Sequence, residues 1–324
     1  MRLYTFIQIR ALLCLQWCLV AGVVQAQSPK GFAVLVGVPA TTAQCVQGRH
    51  FNNEATAGVP QDLVRMRDIL DRAGFEPQRI KTLTTPDETK PTAIIATLRQ
   101  INPSPGDLVV FYFSGHGDQV RDLNGDEDDG MDEMLAGSSA CLLDDDLRPV
   151  WVGYGPAVRI VMIVDACHAG STFSIHDFAV NKDDGRRPAG EAINRTRSRR
   201  AERSRSLSAA EKEAQREEKF KRERTFERSR TALNQCVDIR TQRNEPYQMI
   251  YIGASRDPST AIGLPSGGLF TLHMHDLVIA DNSGGRNYKQ LCLDIPSCQT
   301  GGMSYAEIGV VTEAFRNSTF LQIN

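Results

Sequence analysis

After its first 26 residues this chain has no apolar run approaching the ~18 residues that a membrane-spanning helix needs. That excludes a protein built of several membrane-spanning helices. Charge of one sign is also missing. The formal net charge is −2, so the chain is not a strongly basic nucleic-acid binder. Short paired Cys and His intervals are absent, which removes the zinc-finger classes. No internal repeat is visible, so a solenoid is not indicated. An EF-hand is excluded as well. Asp122, Asn124, Asp126 and Asp128 alternate like part of a calcium loop, but Glu127 stands where that loop needs Gly.

What is present is organised. The 324 residues are 41% hydrophobic, enough for one large domain or two small ones. Residues 1–26 read as a signal peptide: Arg2 and Arg10, an apolar stretch over 11–24, then Val24-Gln25-Ala26 before a cleavage point at Gln27. The rival reading is an uncleaved anchor. A cleaved signal predicts a secreted or periplasmic protein, with no membrane attachment after its removal. The remaining cysteines are Cys45, Cys141, Cys167, Cys236, Cys292 and Cys298. An oxidising compartment allows disulfides, and Cys292 with Cys298, flanking a short Pro-containing loop, is the favoured pair.

Periodicity gives the elements. FAVLVGV (32–38), 80–83, LVVFYF (108–113), 158–164 and QMIYIG (248–253) read as strands, mostly buried. Residues 61–73 form an amphipathic pattern, with Leu63, Met66, Ile69 and Leu70 on one face and Gly74 behind. Residues 91–101 start on a Pro and read as a helix. Residues 268–280 and 304–315 are also expected to be helical. Strands alternating with helices predict an α/β sandwich with a mostly parallel sheet. Between 183 and 230 there are sixteen Arg or Lys against ten carboxylates, and few large apolar residues. This is read as a solvated linker or a loosely attached charged helix.

Two strands end in reactive residues. The first apolar run leads into Ser114, Gly115, His116 and Gly117. The second leads into Asp165, then Cys167 and His168. Parallel strands ending this way bring a thiol and an imidazole to one sheet edge. A Cys beside a His is a nucleophile with a proton acceptor. The amides of Gly117 and Cys167 are placed to meet a developing oxyanion. His168, next to Cys167, is given a structural role, because adjacent residues point apart.

SGHG (114–117), DACHAG (165–170) and the acidic DEDDGMDE (126–133) between them resemble bacterial metacaspases, which are caspase-like cysteine peptidases. MIYIGASRDPSTA (249–261) and GGLFTLHMHDLV (267–278) resemble the small-subunit half of that family. The separation of His116 from Cys167, 51 residues, agrees as well. The resemblance implies a caspase-like three-layer α/β/α sandwich. A large-subunit region would span 27–182, a charged linker 183–245 and a small-subunit region 246–324. It also implies endopeptidase activity on protein or peptide substrates with a basic P1 residue, using Cys167 and His116 and self-processing in the linker. The acidic S1 pocket of the family maps onto Asp62, Ser114 and Asp165. A carboxylate there pairs with a guanidinium and rejects an acidic side chain.

No cofactor is required by this reading. Calcium activation through Asp144 and Asp145 is implied by some metacaspases, with a third position near Ser174 and Asp177; the alternative is a solvated acidic loop. Two rival functions stand beside the peptidase. One is an inactive caspase-like scaffold that binds partners, since Ala169 departs from the Ser usual in the family. The other is a nucleic-acid or anionic-surface binder built on the Arg-rich segment. Its interspersed Glu residues lower the local field, so no nucleic-acid partner is expected.

Overall fold

A computed structural model of the chain describes residues 28–52, 54–121, 131–166, 237–242, 244–255, 261–280, 285–296, 300 and 302–323. The strands are β1 (Gly31–Gly37), β2 (Ala40–Thr41), β3 (Glu54–Ala55), β4 (Ile80–Leu83), β5 (Leu108–Ser114), β6 (Gly117–Arg121), β7 (Met131–Ala136), β8 (Cys141–Leu143), β9 (Arg159–Asp165), β10 (Val237–Gln242), β11 (Gln248–Gly253), β12 (Gly263–Leu264), β13 (Gly267–Gly268) and β14 (Met303–Gly309). The helices are α1 (Val59–Arg72), α2 (Pro91–Arg99), α3 (Asp144–Tyr154), α4 (Leu269–Ala280), α5 (Tyr288–Asp294) and α6 (Glu313–Asn317).

Seven strands form one sheet in the order β10-β14-β11-β9-β5-β1-β4. Every neighbouring pair is parallel except β11 with β14. Side-chain parity builds a core on each face. Along β5, Leu108, Val110 and Tyr112 enter one hydrophobic cluster with Leu63 and Met66 of α1 and Phe270 and Met274 of α4. Val109, Phe111 and Phe113 enter the other, with Ile94 and Leu98 of α2 and Leu147 and Trp151 of α3. Helices therefore cover both faces, which is the expected three-layer α/β/α sandwich with a mostly parallel sheet. Each large apolar side chain fully withdrawn from water here contributes roughly 1.5–3 kcal/mol before entropy is counted.

Two expectations are overturned. Residues 304–315 were expected to be helical. Instead β14 runs antiparallel to β11, and only a short helix, α6, follows. Gly309 explains the break. Its φ is +74°, and the Tyr247 carbonyl lies against it where any Cβ would stand, so the chain turns there rather than continuing a helix. Thr312 then caps α6 by accepting from the Phe315 N–H at 3.3 Å. The second correction concerns Cys292. It is a free buried thiol on the core face of α5, and burial raises its pKa. A side chain packed into the core is not available to bridge a loop, and Cys298 lies outside the described residues. Among those residues the disulfide is Cys45–Cys141, with Cα atoms 5.0 Å apart and 96 residues between them in sequence.

The signal segment 1–26 and the segment 183–236 fall outside the described residues. The last part of the expected linker does not: Val237–Gln242 is an edge strand of the main sheet. Part of the acidic stretch also has regular structure, since β6, β7 and β8 form a small antiparallel sheet. Among the described residues no helix is long and apolar enough to cross a membrane.

Candidate active site

The strand register sets the site. Ser114, the last residue of β5, pairs with Asp165, the last residue of β9. His116 and Cys167 each stand two residues further along the sequence. Cys167 and His168 lie outside the described residues, and the described geometry is that of the imidazole side and of the groups beneath it. Ala166, just before Cys167, is anchored through its carbonyl, which accepts from the Ser255 hydroxyl at 3.1 Å. Sites of open α/β sheets form at such carboxyl ends.

Parity decides which helices face the site. Tyr112 and Ile163 belong to the cluster under α1 and α4, so Ser114 and Asp165, two residues on, point to that same face. There Ser114 donates its hydroxyl hydrogen bond to Asp62 of α1 at 2.9 Å. The other oxygen of Asp62 accepts the Gly268 N–H at 2.8 Å. Asp165 accepts from Thr271 of α4 twice, from the N–H at 3.2 Å and from the hydroxyl at 2.6 Å. Asp62 is 1% exposed and Asp165 6%. Asp62 sits on the buried stripe of α1, in phase with Val59, Met66 and Ile69. A carboxylate on an apolar stripe is costly unless it is bonded.

Burial and the neighbouring Asp165 charge raise the Asp62 pKa to about 7. Burial raises Asp165 to about 6, against the opposing hydrogen bonds from Thr271. Arg65 lowers both. Its guanidinium lies 3.6 Å from Asp62 and donates to the Ser266 carbonyl at 2.6 Å.

Both carboxylates border a cavity of about 200 Å³. Asp62, Ser114, His116 and Asp165 are in its wall, and Thr56 and Gly58 close one side while Ala261 to Gly263 and Gly268 close another. Gly268 is required where it stands, because a Cβ there would meet the Asp165 carboxylate. The His116 ring lies 5.7 Å from that of Phe51, and its carbonyl accepts the Ala136 N–H at 2.9 Å. This bond opens the β6–β7 ladder, so Gly117 and Leu135 face each other as a pair that does not exchange hydrogen bonds. The register thus leaves the Gly117 N–H outside the ladder.

The structure brings together Asp62, Ser114, Asp165 and His116, with Gly117 adjoining. Asp144 and Asp145 are elsewhere, in the first turn of α3. Asp144 is buried near Tyr247, whose hydroxyl pKa burial raises first, with further contributions from Glu245 and Asp144. Among the described residues no group of three or more His, Cys, Asp or Glu is gathered to hold a metal ion. Two carboxylates supply too few of the six to eight oxygens calcium takes, and Ser174, Asp177 and residues 122–128 are outside the described part. Sequence reasoning missed Thr271, Gly268, Arg65 and Tyr112. Gly268 was read only as the start of an expected helix, 268–280, and nothing local marked it or Thr271 as a partner of a buried carboxylate.

Comparison with known proteins bears on the family and the fold. The family profile described as "Caspase domain" matches residues 43–309. The chain belongs to the caspase domain family. It is 34% identical over 126 residues to Metacaspase-1 of Yarrowia lipolytica, covering 34% of this chain and 26% of that protein. It is 30% identical over 140 residues to Metacaspase-1A of Aspergillus oryzae, covering 39% and 33%. The matched segment thus spans about a third or less of these relatives' own length. In fold the chain is similar to the crystal structure of protein GSU0716 from Geobacter sulfurreducens, with a TM-score of 0.58 at 19% identity, covering 91% of this chain and 99% of that one.

Proposed function

We propose that this chain is a cysteine endopeptidase that cuts after Arg or Lys. The observation that supports it most is the buried carboxylate pair, Asp62 and Asp165, lining one cavity with His116. A buried anionic cavity of this size suits one cationic side chain, and a guanidinium gains paired charge-assisted hydrogen bonds there. The fungal relatives are named metacaspases, which accords with the reading.

In the proposed reaction the P1 side chain enters the cavity and holds the scissile carbonyl over the sheet edge. The Cys167 thiol gives its proton to His116, and the sulfur attacks the carbonyl carbon. The oxyanion is met by the amides of Gly117 and Cys167. His116 then protonates the leaving amine, and a water molecule hydrolyses the thioester to free the acid and restore the thiol.

The protein acts outside the cytoplasm, secreted or periplasmic, after loss of residues 1–26. The Cys45–Cys141 disulfide supports an oxidising compartment. Self-processing falls in the Arg-rich segment, where Arg199-Arg200 and Arg222 are suitable P1 residues.

The test is hydrolysis of peptides differing only at P1, by wild type and by Cys167→Ala. Cleavage after Arg and Lys by the wild type alone supports the proposal. Cleavage after Asp, or turnover by the Cys167→Ala protein, refutes it. Binding partners without hydrolysing any peptide would favour the scaffold reading.

A further inference from the structure

Thr271 is fully buried at the third position of α4. Its N–H is one of the four that a helix start leaves without an internal partner. It is met by Asp165, which comes not from the preceding loop but from the end of β9. The hydroxyl of the same residue also reaches Asp165, at 2.6 Å, and lies 2.7 Å from the Tyr112 hydroxyl. An ionised carboxylate accepts only. The Thr271 hydroxyl therefore donates to Asp165, and Tyr112 donates to Thr271. The order is Tyr112 O–H to Thr271 Oγ1–H to Asp165 Oδ2, and it is fixed by the charge at its end. Tyr112 is 0% exposed, and burial, followed by the Asp62 and Asp165 charges, raises its pKa well above the usual phenol range. It stays a donor throughout.

We propose that Thr271 is a positioning residue for P1 specificity, fixing Asp165 so that it faces the cavity as an oriented anion. This rests on the reading that the cavity takes a basic P1 side chain. Without the hydroxyl, Asp165 would keep one backbone bond and could rotate about its χ angles. Removing a donor to a buried carboxylate also disfavours its charged form. The titratable and charged groups facing Asp165 are Asp62 and Arg65 from α1, Tyr112 from β5 and His116 beyond it. A role limited to capping α4 is different, because the backbone N–H alone would serve it.

The experiment uses the full chain. Steady-state kinetics on an Arg-P1 peptide are measured across pH for wild type, Thr271→Val, Thr271→Ser and Tyr112→Phe. Asp carboxyl titrations are followed by carbon-13 NMR on the same proteins. Thr271→Val keeps shape and the backbone N–H. It is expected to raise KM about tenfold or more with a smaller change in kcat, and to move the acid limb of kcat/KM and the Asp165 titration to higher pH. Thr271→Ser restores both. Tyr112→Phe moves both in the same direction by less, and it carries the test should Thr271→Val not fold. Wild-type KM and an unmoved acid limb in folded Thr271→Val would overturn the inference. So would failure of Ser to restore them, or an unmoved limb in Tyr112→Phe. The underlying reading fails in a different place: a wild type that does not cut after Arg or Lys at all.

Discussion

Two acidic regions of this molecule differ in what their carboxylates do. Residues 118–146 hold eleven carboxylates; Asp132, Glu133 and Asp144 are buried, whereas Asp118 pairs with Arg49 at the surface and the exposed Asp146 accepts the Leu143 N–H at 3.1 Å. The end of the sheet holds two, Asp62 and Asp165, both buried and both with raised pKa. Solvated charges are screened and hold little interaction energy. Buried ones are strongly coupled to whatever enters beside them. A site is therefore better sought where few charges are confined than where many are gathered.

The sharpest way to break this comparison is at the reacting atoms. If the confined pair serves a thiol, Cys167→Ala and His116→Ala should each lower kcat/KM on an Arg-P1 peptide by about a thousandfold or more. Circular dichroism should be unchanged. Near-normal turnover by either folded variant would detach the carboxylate pair from catalysis.

The next largest effect separates the two regions directly. Asp165→Asn should weaken Arg-P1 cleavage by about 2–5 kcal/mol, while Asp146→Asn should leave it within about 0.5 kcal/mol. Equal losses would erase the distinction between confined and solvated carboxylates.

Acidity gives a smaller, graded effect. The raised pKa values, about 7 for Asp62 and about 6 for Asp165, mean that protons enter the pair as pH falls through that window. A protonated pair no longer attracts a cation. Binding of an Arg-P1 inhibitor should weaken about tenfold between pH 8 and 5.5, and a neutral P1 analogue should show no such loss. Isothermal titration calorimetry at the two pH values checks this.

Stability should move in the opposite sense. For Asp62 the folded state holds its proton more tightly than the unfolded state does, since its pKa is raised above 3.8. The folded chain therefore binds more protons, and stability falls as pH rises from about 4 to about 7. Asp62→Asn can accept from Gly268 and still meet Ser114, yet it carries no charge. It should be more stable than wild type by about 1–2 kcal/mol at pH 8, with the gain shrinking toward pH 4. Urea denaturation at both pH values reads it. The smallest effect tests calcium: Asp144 and Asp145 alone are too few to hold it, so millimolar calcium should change wild-type and Asp145→Asn activity by the same small factor.

Much of this was legible from local patterns. Apolar runs gave β1, β4, β5, β9 and β11, and the 3.6-residue stripe gave α1. Asp62 was reached only through the family resemblance, which maps an acidic S1 pocket onto it. Ser114, His116 and Asp165 were visible because each closes or follows a buried run. What the sequence hid was long-range. Thr271 meets Asp165 across 106 positions and Gly268 meets Asp62 across 206. Neither partner has a local signature. Residues 303–309 were misread because a short alternating segment with helix-favouring Ala and Glu is decided by its sheet neighbours, β10 and β11, rather than by propensity. The Cys45–Cys141 bridge escaped notice because nothing local joins those cysteines.

The Gly268 contact with Asp62 has a consequence in time as well as in space. A chain made from its N-terminus has Asp62, Ser114, His116, Asp165 and Cys167 in hand well before residues 263–271 exist. Until those arrive, the cavity has no far wall and Asp165 has no Thr271 beside it. On the proposed reading, a nascent chain is thus inert in P1 recognition until residues 263–271 have been synthesised and folded. On the proposed self-processing, the arginines of residues 183–230 are made before that wall, and the order of synthesis guards them against cutting too soon.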